Sequence, residues 1–294
     1  MNERKRQVML AAQRLIIEKG FASTSVQDIL EEAKISKGTF YNYFTSKNEC
    51  LIAILDHAAE ESIIRRRDLL VGRDPSDKDL LAEQILIRMH VNRELNLIPV
   101  YEAIFYSNDE ELRNFVKLRH VEELSWLSER LIDVYGKKAE PHVVDCSVMI
   151  LGMIQQLSHF WTAGSSEVLD IEKLVHFAIR RLDALMFDLI KNSDILLGKF
   201  MLKSMVNAKS SIDEYEKQIL QQLQMIKGKL ENEIGLQYID FLLNELQSGN
   251  PQLSIMEVVT RSLRDVGKDT EQASRINEAA LLIWDYIDIN KTNK

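Results

Sequence analysis

Apolar residues recur at helical spacing almost from the start of the chain. Val8, Ala11, Ala12, Leu15 and Ile16 mark one face of a helix predicted over about Lys5–Lys19. Gly20 follows, where a left-handed C-terminal position ends such a helix, and Phe21 is an apolar anchor in the loop. Val26, Ile29, Leu30 and Ala33 repeat at i, i+3, i+4 and i+7. Thr24 with Gln27 three residues on reads as a capping box, so the second helix is expected to open at Thr24. Lys34-Ile35 is a short connection to Ser36, a second N-cap, and the third helix is predicted over Lys37–Phe44. Ser46 with Glu49 is another capping box; the helix it starts runs through Leu51, Ile54, Leu55 and Ala58 towards Arg67.

A loop over 72–77 comes next. Helices are predicted near Leu80–Asn92, Pro99–Ser107, Asp109–Tyr135, Pro141–Ala163 and Ile171–Lys191, with Pro, Gly and Asn between them. Four further stripes follow Asn192: Ile212, Tyr215, Ile219, Leu223, Ile226, Leu230; Leu236, Ile239, Leu243, Leu246; Leu253, Met256, Val259, Leu263, Val266; and Ala273, Ile276, Ala280, Trp284, Ile287. No segment of useful length has strand period. The expected fold class is all-α.

Composition agrees with this. Of 294 residues only 11 are Gly and 4 Pro, and 46% are hydrophobic, enough for a real core in two or three domains. Cys50 and Cys146 form no CxxC or Cys/His cluster, which argues against a disulfide framework and a structural zinc site. Reduced thiols suggest a cytoplasmic protein. Residues 1–7 are polar and basic, with no export core behind them. The longest charge-poor run, Ser147–Thr162, falls short of the ~20 residues of a spanning helix. It also carries Gln155, Gln156 and His159, and reads as a buried helix rather than a membrane segment. The net charge is −8, yet residues 1–50 hold eight basic and six acidic side chains. A slightly basic head on an acidic body suits nucleic-acid contact at one end only.

The third helix carries the chemistry. Phe40 and Phe44 share one face and would brace it from behind; Gly38, Thr39 and Asn42 lie roughly opposite, with Lys37 at the start. An outward Gly costs about 1 kcal/mol relative to Ala, but lets the backbone approach DNA closely. Asn42 can bond a base edge in bidentate fashion, and Lys37 can reach guanine or a phosphate. Thr24, Ser36 and Ser46 sit at predicted helix N-termini, where free N–H groups attract anions. Lys47, in a first turn, is disfavoured by the helix dipole, so a phosphate partner would explain it. Tyr41 and Tyr43 offer hydroxyls, though Tyr43 is equally readable as a packing residue. Arg4, Lys5 and Arg6 are either an arm against the duplex or a solvated terminus.

The stretch from Ala11 to Leu51 resembles the N-terminal domain of TetR-family transcriptional regulators. The matching elements are Ala11-Ala12, Leu15, Gly20-Phe21, Thr24-Ser25-Val26, Asp28-Ile29, Ser36-Lys37-Gly38-Thr39-Phe40-Tyr41, Tyr43-Phe44 and Ser46-Lys47. The resemblance implies phosphate contacts from Thr24, Ser36, Tyr41 and Lys47, and a groove-facing set of Lys37, Thr39, Asn42 and Tyr43. The family usually has Gly in the turn before the recognition helix, where this chain has Lys34. It also implies a helical second domain that binds an effector and dimerises. The expected organisation is therefore residues 1–46 for DNA binding, 47–193 for effector binding and dimerisation, and 194–294 as an additional helical region.

Pro141–Ala163 is apolar nearly all round, through Val144, Val148, Leu151 and through Met149, Met153, Phe160, so burial on both sides is expected. With Ile171, Leu174, Val175, Ala178, Leu182, Leu185, Met186 and Leu189 it suits a four-helix homodimer interface, or else the core of a monomer. Met89, His90, Tyr101, Phe105, Tyr106, Trp126, Met149, Met153, Gln156, His159 and Phe160 are either plain core or the lining of a pocket for an apolar or amphipathic effector. No metal-ligand set, no cofactor motif and no catalytic motif occurs, so an enzyme is not expected. The first reading is a cytoplasmic homodimeric repressor that binds a double-stranded operator and is released by a small effector. The alternative is a DNA-bound structural or recruitment factor whose C-terminal region binds a protein, without an effector. A purely helical scaffold is the third.

Overall fold

The computed structural model describes residues 3–105, 109–198, 202, 212–248 and 250–292. Among these the regular elements are all helical, with no strand: α1 Glu3–Lys19, α2 Val26–Ala33, α3 Lys37–Tyr41, α4 Lys47–Leu69, α5 Lys78–Glu94, α6 Ile98–Phe105, α7 Glu110–Tyr135, a 3-10 turn Lys137–Ala139, α8 Val143–Gly164, α9 Ile171–Asn192, α10 Ile212–Lys227, α11 Glu233–Gln247, α12 Leu253–Gly267 and α13 Ala273–Thr292. The chain divides into two compact units, Gln7–Ala208 and a second made of Lys209–Lys294 with Met1–Arg6. Residues 7–46 fall in the same unit as those that follow them up to 208.

Several starts and stops follow from single residues. Gly20 ends α1 at φ +82°. Asp109 and Asp170 accept from Leu112 N–H and Lys173 N–H and so cap α7 and α9. Two expectations are corrected. The second helix opens after Ser25, not Thr24: Ser25 is extended, its hydroxyl accepts from Asp28 N–H, and the Asp28 carboxylate returns to Ser25 N–H. Thr24 is excluded because its own hydroxyl is buried and donates to the Gly20 carbonyl at 2.8 Å. The third helix stops at Tyr41 instead of Phe44; Asn42 and Tyr43 form a turn that still carries Phe44 inward.

The larger unit has two apolar cores. One joins α5, α7, α8 and α9 around Leu127, Leu131, Ile150, Val175 and Leu182. The other holds α1–α4 around Ile29, Phe40, Phe44 and Leu51, and it takes in Val91, Leu97, Val100, Ile104 and Leu112 from the body. Thus α6 packs into the same core as the N-terminal helices. Asn48 adds a polar link, donating to Asp109 at 2.7 Å and Glu111 at 2.9 Å, and Gln13 donates to the Leu95 carbonyl. After α9, residues 194–197 bind back on α8: His142 Nδ1 meets the Asp194 carbonyl, and Asp145 accepts from Leu196 and Leu197 N–H.

The expectation that α8 is buried on both sides holds only for its first half. Val143–Ser147, Ile150 and Ile154 are buried, whereas Gln155–Leu157 and His159–Gly164 are exposed, Phe160 by 78%. By length and composition α8 is the one helix among the described residues able to cross a membrane. In the structure its first half is packed against α7 and α9.

In the second unit α10, α11, α12 and α13 pack around Ile219, Leu223, Leu242, Met256, Leu263, Ile283 and a fully buried Trp284. The third stripe is rotated from its expected register. Thr260 and Gly267 are buried, with Val259 and Val266 only partly so. At Gly267 a Cβ would meet the Cδ1 end of Ile276, so the close contact of α12 and α13 here suits a residue without a side chain.

Candidate nucleic-acid interface

The short helix α3 is set by what precedes it. Lys34 ends α2 in the left-handed region, φ 53° and ψ 47°, and its N–H reaches back to Glu31 and Leu30 carbonyls. That conformation costs a non-Gly residue about 1 kcal/mol or more, which accounts for the Gly that the family places there. Ser36 then caps α3: its hydroxyl accepts from Thr39 N–H at 3.1 Å and pairs with the Thr39 hydroxyl at 2.9 Å. Phe40 and Phe44 are both fully buried, ring centroids 5.6 Å apart, and pin the inner side of the motif to α1, α2 and α4.

With that side fixed, the opposite one faces solvent. Lys37, Gly38, Tyr41 and Asn42 are exposed, and Thr39 and Tyr43 partly so. Lys37 Nζ lies 5.9 Å from the Tyr41 ring centroid. Asn42 is the C-cap of α3. At Gly38 an added Cβ would meet only Ser36 Oγ, at 3.9 Å. Among the described residues nothing requires glycine at this exposed position.

Two expected phosphate contacts are placed differently. The Thr24 side chain is buried with its hydroxyl committed. Lys47 Nζ donates to the carbonyls of Phe21 and Thr24, both at 2.7 Å, and sits 4.0 Å from the centroid of the Phe21 ring. Burial lowers its pKa, with Asp109 and Asp28 opposing. A cation in the first turn of α4 therefore has an internal partner: it closes the turn between α1 and α2. Ser36 and Tyr41 remain at the surface. Arg4, Lys5 and Arg6 belong to α1, so they form no extended arm. Neighbouring charge is paired locally, Arg14 with Glu32 at 3.0 Å and Lys19 with Asp28 at 2.8 Å. Hydrogen bonds from Lys19 and Ser25 hold the Asp28 carboxyl far below the usual range.

The residues expected to line a pocket do not converge. Met89, Trp126, Met149 and Met153 are half-buried against the body core, and Tyr101 against the N-terminal one. The Arg66 guanidinium carbon lies 3.6 Å from the centroid of the Trp126 ring. His90 is partly exposed on α5; Gln156, His159 and Phe160 lie on the exposed half of α8. Tyr106 and the side chain of Phe105 lie outside the described residues. Sequence reasoning missed the contact of Asn48 with α7 and the charge cluster around Glu123; neither leaves a short-range signal.

Residues 8–54 match the model of the bacterial regulatory proteins of the tetR family. The HTH-type transcriptional regulator YerO of Bacillus subtilis is 26% identical over 301 aligned residues covering the whole of both chains. YuxN of the same organism, also an HTH-type regulator, is 28% identical over 158 residues, 53% of this chain and 54% of that one. Among solved structures, the fatty acid degradation regulator FadR of Bacillus halodurans is 20% identical, with a TM-score of 0.49 over 62% of this chain and 95% of that one. A capped, phenylalanine-braced α3 lies inside the matched segment, and a relative aligned over the full length is named as an HTH-type transcriptional regulator: residues 8–54 are similar to the DNA-binding domain of the bacterial regulatory proteins of the tetR family.

Proposed function

We propose that this protein is a homodimeric operator-binding repressor that a small apolar or amphipathic effector releases from DNA. It acts in the cytoplasm and without catalysis. The observation that carries the reading is the single core shared by the recognition helix and α6. Leu97, Val100 and Ile104 belong to the same buried cluster as Phe40, Phe44 and Leu51, so a shift of α6 can reach α3 through the side chains packed between them. An effector that favours one position of α6 sets the spacing of two recognition helices, which must be about 34–36 Å to read successive turns of B-DNA.

In this reading Lys37, Gly38, Thr39, Asn42 and Tyr43 face the groove, and Ser36 and Tyr41 meet phosphates. Thr24 and Lys47 support the motif from within. The dimer seam runs along α8 and α9. Val148 on α8 and Phe177, Ala184 and Phe187 on α9 are exposed, Phe187 by 69%, and nothing lies within 4 Å of a Cβ at Gly152. An open glycine among exposed apolar residues suits the close approach of a second helix pair. Residues 194–294 add a helical unit to this frame.

Mobility shift on genomic fragments tests the proposal. Specific complexes are expected, weakening steeply with salt. Asn42→Ala should relax discrimination at one base pair by about 1–3 kcal/mol. Loss of all specific binding at modest salt in the wild type would sink the reading; an Asn42→Ala protein equal to wild type on every base variant would remove Asn42 from the groove.

A further inference from the structure

Contact with DNA needs cations that are free to meet phosphate, and most cations of the motif are engaged inside the protein. Residues 7–50 hold five basic side chains. Arg14 pairs with Glu32 at 3.0 Å and Lys19 with Asp28 at 2.8 Å. Lys47 gives its ammonium to the Phe21 and Thr24 carbonyls, and Lys37 Nζ lies 5.9 Å from the Tyr41 ring centroid. The fifth is Lys34. It is exposed, and among the described residues no hydrogen bond, ion pair or ring contact engages its ammonium. The nearby carboxylates are used elsewhere: Glu31 accepts from Gln27 at 2.8 Å, and Glu32 holds Arg14.

The backbone at Lys34 is strained as well. It stands at φ 53° and ψ 47°, where glycine is at ease and a Cβ is crowded. The turn fixes this conformation, because Lys34 N–H bonds the Glu31 and Leu30 carbonyls and Ile35 N–H returns to Leu30 at 3.0 Å. On either side Ala33 is buried and Ile35 is half-buried against the N-terminal core, which leaves the lysine outside. Among the described residues, then, the side chain brings strain and no contact that offsets it. Ser36, two residues on, caps α3. A recognition helix enters the groove with its N-terminal residues, so a side chain just ahead of that cap stands at the groove rim, where the phosphates run.

We propose that Lys34 is a DNA-backbone contact, its ammonium meeting a phosphate at the edge of the groove that α3 reads. It fills the role from which the internal bonds of Lys47 withdraw that residue. The contact rests on the DNA-binding reading above and adds affinity without base preference.

The test compares the full-length wild type with Lys34→Gly, Lys34→Asn and Lys34→Arg on the genomic fragments that the wild type binds specifically, from 50 to 200 mM salt. Glycine and asparagine both tolerate the left-handed region and lack the charge. Lys138→Gln is the control: it removes an exposed positive charge just past the C-terminus of α7, about 40 Å from the end of that helix that Asn48 meets. Lys34→Gly and Lys34→Asn should bind every fragment more weakly, with the salt slope lowered by about 0.9, so their deficit shrinks about 3.5-fold between 50 and 200 mM. Lys34→Arg should keep the wild-type slope. A structural role for the turn would not give that rescue, since arginine carries the same backbone strain as lysine. Lys138→Gln should keep both slope and affinity. Wild-type slopes in both Lys34→Gly and Lys34→Asn, an equal change in Lys138→Gln, or a shift of preference among fragments in place of a uniform loss would overturn the contact and leave the DNA-binding reading standing. That reading fails separately, if the wild type binds no fragment specifically.

Discussion

Lys47 separates two explanations of one residue. Replacing it with Met keeps the alkyl stem over Phe21 and removes the ammonium. The structure assigns that ammonium two 2.7 Å bonds, to the carbonyls of Phe21 and Thr24, and a cation–π contact at 4.0 Å. A hydrogen bond to a charged group contributes about 1.5–3 kcal/mol when well shielded. Here Lys47 is only partly buried, so water can replace it at the carbonyls. A discounted total of about 1–2 kcal/mol is expected for the two bonds, with about 0.5 kcal/mol from the ring. For a unit of this size 1 kcal/mol corresponds to about 2–4 °C. Lys47→Met should therefore melt roughly 3–10 °C below wild type in the absence of DNA. A lysine that only met phosphate would leave the melting temperature unchanged and instead lower the salt slope of DNA binding by about one unit. Thermal unfolding without DNA, beside the salt dependence of binding, decides between them. Coincident melting curves would refute the internal role.

Other perturbations follow from the same geometry. Lys34→Gly relieves a left-handed residue at φ 53° and should stabilise the turn by about 1 kcal/mol; a lower melting temperature would mean that the lysine side chain contributes more than its backbone costs. Gly267→Ala should destabilise the C-terminal unit by about 1–3 kcal/mol, since the new Cβ meets Ile276 Cδ1, and adding Ile276→Val, which deletes that atom, should restore it; simple addition of the two losses in urea unfolding would refute the close contact. Burial alone would raise the Glu123 pKa, but Arg66 and Arg88 hold it at about 2, below the ordinary 4.5. A carboxyl depressed in this way stabilises the fold above about pH 4.5, and the contribution is lost as pH falls towards 2. Glu123→Gln should show a flatter melting profile across that window, measured by circular dichroism; an unchanged slope would mean that Glu123 is not held by the arginines.

The sequence by itself determines what short-range chemistry can determine. Gly20 at positive φ, the caps at Ser36 and Ser46, the Phe40–Phe44 brace and the helix spans are all relations between residues one to four apart. The outward set Lys37, Gly38 and Asn42 follows from that brace, because fixing one side of a helix exposes the other. The cap of α2 shows where this stops. Thr24 and Ser25 are adjacent hydroxyls, and only the burial of Thr24 against Gly20 decides for Ser25.

Tertiary structure alone decides the destination of charged tips and the choice between two apolar faces. Lys47 bonds carbonyls 23 and 26 residues away, and Asn48 finds carboxylates 61 and 63 residues away. Thr260 and Gly267 turn inward in place of Val259 and Val266, because close approach at Ile276 demands small residues that periodicity scores as poor. A hydrophobic stripe records which side of a helix prefers burial. Which stripe meets a neighbour, and which stays open as on the second half of α8, depends on elements that the chain brings together from far along its length.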